Sequence, residues 1–403
     1  MLRKLSTSPS QDARAEIGTQ IDTNWNGDSK TQKQRSFEPT PKGQPINIPH
    51  FEEISSSLLN DAPISIENYK VLVSYSWCKS NESTIFVPGI PARWNPQLSP
   101  YQLSKECEQN RFEESSEEKK SQARMPCWTP LFAALQVMQP TYSLRSLSLV
   151  IEQNSLRRLF EFVAGKSGKN TEDWRIDVEL SNEAMFLTSF VRHSLTGSCN
   201  SGYTRLFEKG FLRLEDENVP ESLGHHRIVE YDIGGMRWVV RFEVDGYFHE
   251  HNPVTTDRAE AEKVLSLAMS TTSLGDILPD IGMFESIKVI HKGRMVAPDA
   301  LIEVKTKKIG SRSQGAVEHI DKIDITMHFE GWEGEHQEEL KALAEFVNKI
   351  EEIVKKTTNG RCSVVYVRRN SPQVLQIFEQ DSGIMKLSDD LKERSWGQIS
   401  TSD

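Results

Sequence analysis

Cysteine is scarce in this chain and its spacing carries no motif. The five cysteines, Cys78, Cys107, Cys127, Cys199 and Cys362, include no CxxC pair. Neither a disulfide framework nor a zinc site is expected, and such thiols fit a reducing intracellular compartment, nucleus or cytoplasm. Long apolar runs are missing as well, so no membrane span and no membrane partner are expected. Positive charge does not dominate: the formal net charge is −10 and the pI about 5.6. That excludes a global basic field for gripping a polyanion and leaves a local basic cleft open. No internal repeat is present. The opening MLRKLSTSPSQDARAE has no apolar core, and no secretory signal is expected there.

What is there suffices for one large domain or two ordinary ones: 403 residues, 37% hydrophobic and 26% charged. Residues 1–60 are polar, without periodicity, and read as a disordered tail. A single domain is expected over 61–381, with a charge-dense insertion at about 104–125 and a second polar tail at 382–403. NYKVLVSYSW (68–77) and STIFVPGIPARW (83–94) read as strands. CWTPLFAALQVM, and the stripe Leu144, Leu147, Ile151, Leu156, Leu159, Phe160 and Val163, read as helical. WRIDVEL with AMFLTSFV, and HHRIVEY with MRWVVRFEVDGY around Gly234-Gly235, read as hairpins. TTDRAEAEKVLSLAMS reads as a helix, SIKVIHKG and ALIEVKTK as strands, and HIDKIDITMHF as a further strand. GEHQEELKALAEFVNKIEEIVKK is the clearest amphipathic helix, and RCSVVYVRRN with PQVLQIFEQ closes the domain as a hairpin. The sum is α+β, a mixed central sheet with flanking helices.

Two of these strands carry acids where packing favours none. In MRWVVRFEVDGY, residues two apart share a face, so Glu243 and Asp245 lie on one side and Val240, Phe242 and Val244 on the other. ALIEVKTK repeats the arrangement with Glu303 and Lys305. Carboxylates on apolar strands are costly without a compensating cation or proton. With Glu208 from GYTRLFEKGF, the set offers four carboxylates and one ammonium, hard oxygens that select Mg²⁺ or Mn²⁺. A metal held there could stabilise a phosphoryl displacement, with the lysine orienting water or neutralising charge on the phosphate.

These residues resemble the PD-(D/E)XK nuclease superfamily, and within it the DXO-like branch of RNA decapping nucleases. Phe207-Glu208, Glu243-Val244-Asp245 and Glu303-Val304-Lys305 stand for that branch's F-E, E-x-D and E-x-K. The resemblance covers roughly 200–308. It implies a nuclease-like core and a hydrolase acting on an RNA 5′ end or nucleotide. Glu208, Asp245, Glu303 and the Val304 carbonyl would ligate Mg²⁺ or Mn²⁺, with Glu243 and Lys305 catalytic. Two departures stand out. Asp245 and Glu303 are much further apart than is usual in the branch, and its helix glutamine has only Gln314 or Gln337 to match it. A decayed, non-enzymatic binding module of this fold is therefore the rival expectation. Some similar fungal chains are called geranylgeranyl pyrophosphate synthase. That chemistry needs two aspartate-rich motifs facing across a helical bundle, and this sequence offers one string, DDLKE from Asp389, in a strand-rich chain.

Three smaller features remain. Adjacent strand residues face opposite ways, so His225 and His226 cannot both reach one metal. Arg237 and Arg241, with Arg227 across the turn, could rim an RNA-binding face. Tyr75, Trp77 and Trp94 read as core or interface aromatics before they read as base-stacking platforms.

Overall fold

The computed structural model describes residues 45–46, 62–78, 80, 82–95, 128–167, 171–190, 208, 210–214, 222–248, 282–304, 329–368, 375–381 and 396. All lie in one compact unit, Glu38–Asp403; the unit Met1–Phe37 lies outside the described residues. Strands β1 (Pro45–Ile46), β2 (Ile66–Cys78), β3 (Thr84–Gly89) and β4 (Ala92–Trp94) precede helix α1 (Thr129–Met138). Strand β5 (Leu147–Glu152) leads straight into α2 (Gln153–Val163), followed by β6 (Trp174–Ser181), β7 (Ala184–Ser189) and the short β8 (Leu212–Arg213). The hairpin β9 (Ser222–Ile233) and β10 (Met236–Val244) runs on into β11 (Gly246–Tyr247). Then come β12 (Gly282–Phe284), β13 (Ile287–Gly293), β14 (Leu301–Ile302), α3 (Phe329–Glu335), α4 (Gln337–Val354), β15 (Arg361–Tyr366) and β16 (Leu375–Glu379).

These strands make two sheets. The larger has twelve strands in the order β1-β16-β15-β6-β7-β5-β10-β9-β2-β3-β13-β12, and the smaller runs β14-β11-β4-β8. Pairing is mixed: β5 is parallel to both β7 and β10, and β13 to β3, while β9–β10, β2–β9 and β6–β7 are antiparallel. The class is α+β, with helices on both faces of the large sheet. On one face α4 buries Leu343, Phe346, Val347, Ile350 and Val354 against Trp238, Val240, Ile176 and Val364. On the other, α1 contributes Leu131, Phe132 and Leu135 to a core with Val73, Ile85, Ile228 and Val239. Two buried faces explain why the central strands are apolar almost throughout. No helix among the described residues is long and apolar enough to cross a membrane.

The helical expectation over 144–163 needs correction. LSLVIE is strand β5, and the helix begins only at Gln153. Leu147, Leu149, Val150 and Ile151 are each at most 1% exposed. A short apolar run buried on both sides has no period of its own, so the following helix lent it one. The strands expected at SIKVIHKG and ALIEVKTK are present as β13 and β14, the second described only as far as Val304, and they lie in different sheets: β13 joins the large sheet through β3, and β14 joins the small one through β11. The helix expected at 255–270 and the strand at 319–329 lie outside the described residues, apart from Phe329, which opens α3.

One charge cluster ties strand to loop. Glu230 on β9, 3% exposed, pairs with Lys70 at 2.6 Å and accepts a hydrogen bond from the Tyr142 hydroxyl. Burial first, then that bond, hold the Tyr142 hydroxyl well above its ordinary range. Tyr142→Phe is expected to cost about 1.5–3 kcal/mol at neutral pH, since a buried carboxylate loses a donor. A phenol raised in the fold stabilises below the unfolded value of about 10 and loses that contribution above it. Urea unfolding of both proteins at pH 7 and above pH 10 checks this: the gap between them should shrink at the higher pH.

Candidate functional site

The small sheet forms where β10 runs out of the large one. Asp245 stands between β10 and β11, and Gly246 pairs with Ile302 and Tyr247 with Leu301 in an antiparallel ladder. Continuing that register sets Asp245 opposite Glu303. The Val304 backbone N–H donates to Asp245 Oδ2 at 2.6 Å. The two acid-bearing strands expected from sequence are thus neighbours, joined at the acids themselves.

Glu243 sits one strand period before Asp245. It is exposed at the surface, with protein packed around much of its carboxyl. Loss of surrounding water, then the Asp245 charge, push its carboxyl above the usual range, against a smaller pull from Arg241. Room for that carboxylate comes from Gly224 on β9: a Cβ there would lie 2.8 Å from Glu243 Oε1 and 3.8 Å from His226 Nε2. Glu303 is exposed at the end of β14. Glu208 sits in a helical turn that ends at Phe211 and leads directly into β8. That turn is fastened to β4 by the Asn95 N–H to Phe211 carbonyl bond, 2.7 Å, and by Phe211 stacked on Trp94 at 5.6 Å. Phe207, Lys305 and Gln314 lie outside the described residues.

The sheet is tight at its centre. A Cβ on Gly246 would lie 2.7 Å from Leu212 Cδ2, 2.8 Å from the Ala92 carbonyl oxygen and 3.2 Å from Ile302 Cδ1. One of these is backbone and cannot rotate away. Gly246→Ala is expected to cost about 1–3 kcal/mol, the usual range for overpacking. Hydrogen exchange should locate the loss in β4, β8, β11 and β14, with α4 unchanged.

The two histidines divide as strand geometry requires. His225, 3% exposed, bonds Ser76 Oγ through Nδ1 at 2.9 Å. His226 lies against the Tyr75 ring, centroids 5.0 Å apart. Burial, then Arg241, push His226 down to about 3; burial, then Arg227 and His226, push His225 well below its ordinary value. Both are neutral at physiological pH.

The arginines expected to rim an RNA-binding face are engaged in the fold. Arg241 pairs with Glu152 at the end of β5 and lies over the Trp128 ring at 4.4 Å. Arg237 donates to the carbonyls of Ser143 and Arg145. Arg227 is fully buried and donates to the Val296 carbonyl at 2.6 Å, so it braces the segment leading into β14. Gln337 is engaged too, exchanging two 2.8 Å bonds with the Ile64 backbone. It is an anchor for β2 rather than a group at the acids.

A divalent cation is what the resemblance implies. The donor chemistry suits it: Asp245, Glu243 and Glu303 offer hard oxygens, and the upward push of Asp245 on Glu243 is the repulsion a cation relieves. Their grouping is looser than a metal cradle. Among the described residues, no three His, Cys, Asp or Glu side chains stand close enough to hold an ion.

Fold and site together define a mixed-sheet α+β protein with an acid edge at the junction of two sheets. The chain belongs to the family described as Domain of unknown function (DUF8563), which matches residues 57–287 and 301–396. No curated protein matches it. Among solved structures it is similar to S. pombe Rai1, at 11% identity and TM-score 0.44, over 82% of this chain and 98% of that one. It is similar to Scheffersomyces stipitis Rai1 in complex with (3′-NADP)+ and calcium ion, at 9% identity and TM-score 0.45, over 88% and 99%. K. lactis Dxo1 in complex with manganese is similar at 10% identity and TM-score 0.41, over 83% and 96%.

Proposed function

We propose that this chain is a metal-dependent phosphohydrolase acting on RNA 5′ ends, of the decapping, pyrophosphohydrolase or 5′–3′ exonuclease type. The observation that carries it is the meeting of Asp245 and β14 through the Val304 N–H, which sets two acid-bearing strands side by side. Asp245, Glu303 and Glu208 are the residues that would hold Mg²⁺ or Mn²⁺. Such an ion, when bound, neutralises phosphate charge and acidifies water. The chain's own groups do the rest. Glu243, with its carboxyl raised, takes the proton of the attacking water at a carboxylate oxygen. Lys305 neutralises charge developing on the phosphate. The Val304 N–H keeps Asp245 in place, which spares the site a reorganisation during the reaction.

The second reading is a nuclease-fold binding module without turnover. The looseness of the acid grouping favours it. Incubating capped, triphosphorylated and monophosphorylated RNA with Mg²⁺ or Mn²⁺ separates the two. Turnover by the wild type that Asp245→Asn and Glu303→Gln both lose supports the hydrolase; intact RNA in every tube, from folded protein, supports the module.

A further inference from the structure

The small sheet carries a second feature beside its acids. Strands β4 and β8 pair antiparallel with Arg93 directly opposite Arg213. Both side chains are exposed, and like charges facing each other across an antiparallel pair repel. Neither guanidinium has a hydrogen bond, ion pair or ring contact among the described residues. That sets them apart from Arg227, Arg237 and Arg241, each engaged by the fold. Two cations side by side, with no compensating partner among the described residues, stand out in a chain of net charge −10.

Register fixes where the pair stands. Tyr247 is level with Arg93 in the parallel β4–β11 pair and with Leu301 in β11–β14. One row across the sheet therefore reads Leu301, Tyr247, Arg93, Arg213, all on one face. Asp245 comes two residues before Tyr247, and Glu303 two after Leu301, which is the strand period. Packing agrees with that alternation. Tyr247 and Leu301 share a cluster with Val296, whereas Ile302, Val304, Trp94 and Leu212 pack together on the opposite face. The arginine pair thus occupies the same face as the acids, displaced along the sheet.

We propose that Arg93 and Arg213 clamp a backbone phosphate of single-stranded RNA whose 5′ end lies at Asp245 and Glu303. This rests on the RNA reading above and extends it by naming the residues that hold the strand. Guanidinium forks match phosphate oxygens two at a time. An anion between the two forks turns their mutual repulsion into attraction. The acids repel phosphate on their own, so a cationic clamp further along the strand decides which way the RNA lies.

The test is fluorescence anisotropy of a 3′-labelled oligouridylate, with EDTA present so that no metal contributes. It compares wild type, both single alanine variants, the Arg93→Ala/Arg213→Ala double variant, and Arg157→Ala, which removes an exposed arginine from α2. The double variant is expected to bind about tenfold or more weakly. Its log–log salt dependence should be shallower by about 0.7, the value for one phosphate of a single strand no longer neutralised. Arg157→Ala should match the wild type. Removing like charges should leave the Tm unchanged or raised, so weakened binding would not report unfolding. The proposal is overturned if wild type fails to bind the RNA, or if the double variant binds equally with the same slope. It is also overturned if pyrophosphate displaces the RNA at its own tight affinity for the arginines, because the ligand is then a free phosphate. Arginine-dependent binding without hydrolysis would sink the hydrolase and keep the clamp. Hydrolysis with arginine-independent binding would do the reverse.

Discussion

Asp245→Asn and Glu303→Gln are each expected to slow RNA 5′-end hydrolysis by about 10²-fold or more while leaving the fold intact. The size is that of removing one preorganised group that stabilises charge in the transition state. Asparagine suits the test because its side-chain carbonyl can still accept the Val304 N–H that Asp245 Oδ2 accepts at 2.6 Å. Charge is lost and the junction of β11 with β14 is kept. Asp245→Ala removes both, so it should lose stability as well as rate. Single-turnover kinetics with unfolding curves on the same preparations separate the two losses. Equal rates for wild type and both variants would mean that any cleavage comes from elsewhere, including a contaminant.

The largest loss of stability is expected from Trp238→Ala. Trp238 is 0% exposed on β10, the strand that carries Glu243, between β5 and β9. It packs in the core formed with α4. Truncating so large a buried side chain costs about 3–5 kcal/mol, since the cavity left behind closes only in part. Its indole N–H has no hydrogen-bond partner among the described residues. Trp238→Phe therefore discards an unsatisfied donor along with some volume, and about 1.5 kcal/mol or less is expected. Urea midpoints check both. Similar losses for the two variants would mean that the indole N–H matters in a way its surroundings do not reveal.

Much of this architecture was legible in the sequence, for reasons visible in particular elements. The hairpin β9–β10 announced itself through Gly234-Gly235, both with positive φ, between alternating runs. Helix α4 showed a single apolar stripe because only one of its faces is buried. The pairing of EVD with IEV followed from the cost of acids on apolar strands, and the ladder through Gly246 and Ile302 bears out that neighbourhood. What failed to show has physical causes too. LSLVIE is buried on both faces, so neither period marks it. The small sheet is built from strands of two or three residues, too short for any alternation. Its members come from four distant parts of the chain. Arg93 and Arg213 face each other only because that sheet forms, and no spacing in the sequence could have paired them. The fates of Arg227, Arg237, Arg241 and Gln337 were hidden for the same reason: their partners are backbone atoms or an acid on other elements.

Titration of the protein into Mn²⁺, followed by the electron paramagnetic resonance of the free aquo ion, tests the acid edge most directly, because it needs neither substrate nor turnover. The wild type should take up the ion and quench the signal, and Asp245→Asn and Glu303→Gln should leave it free at the same protein concentration. An undiminished signal with folded wild type, or equal uptake by all three proteins, would contradict a metal centre at this junction.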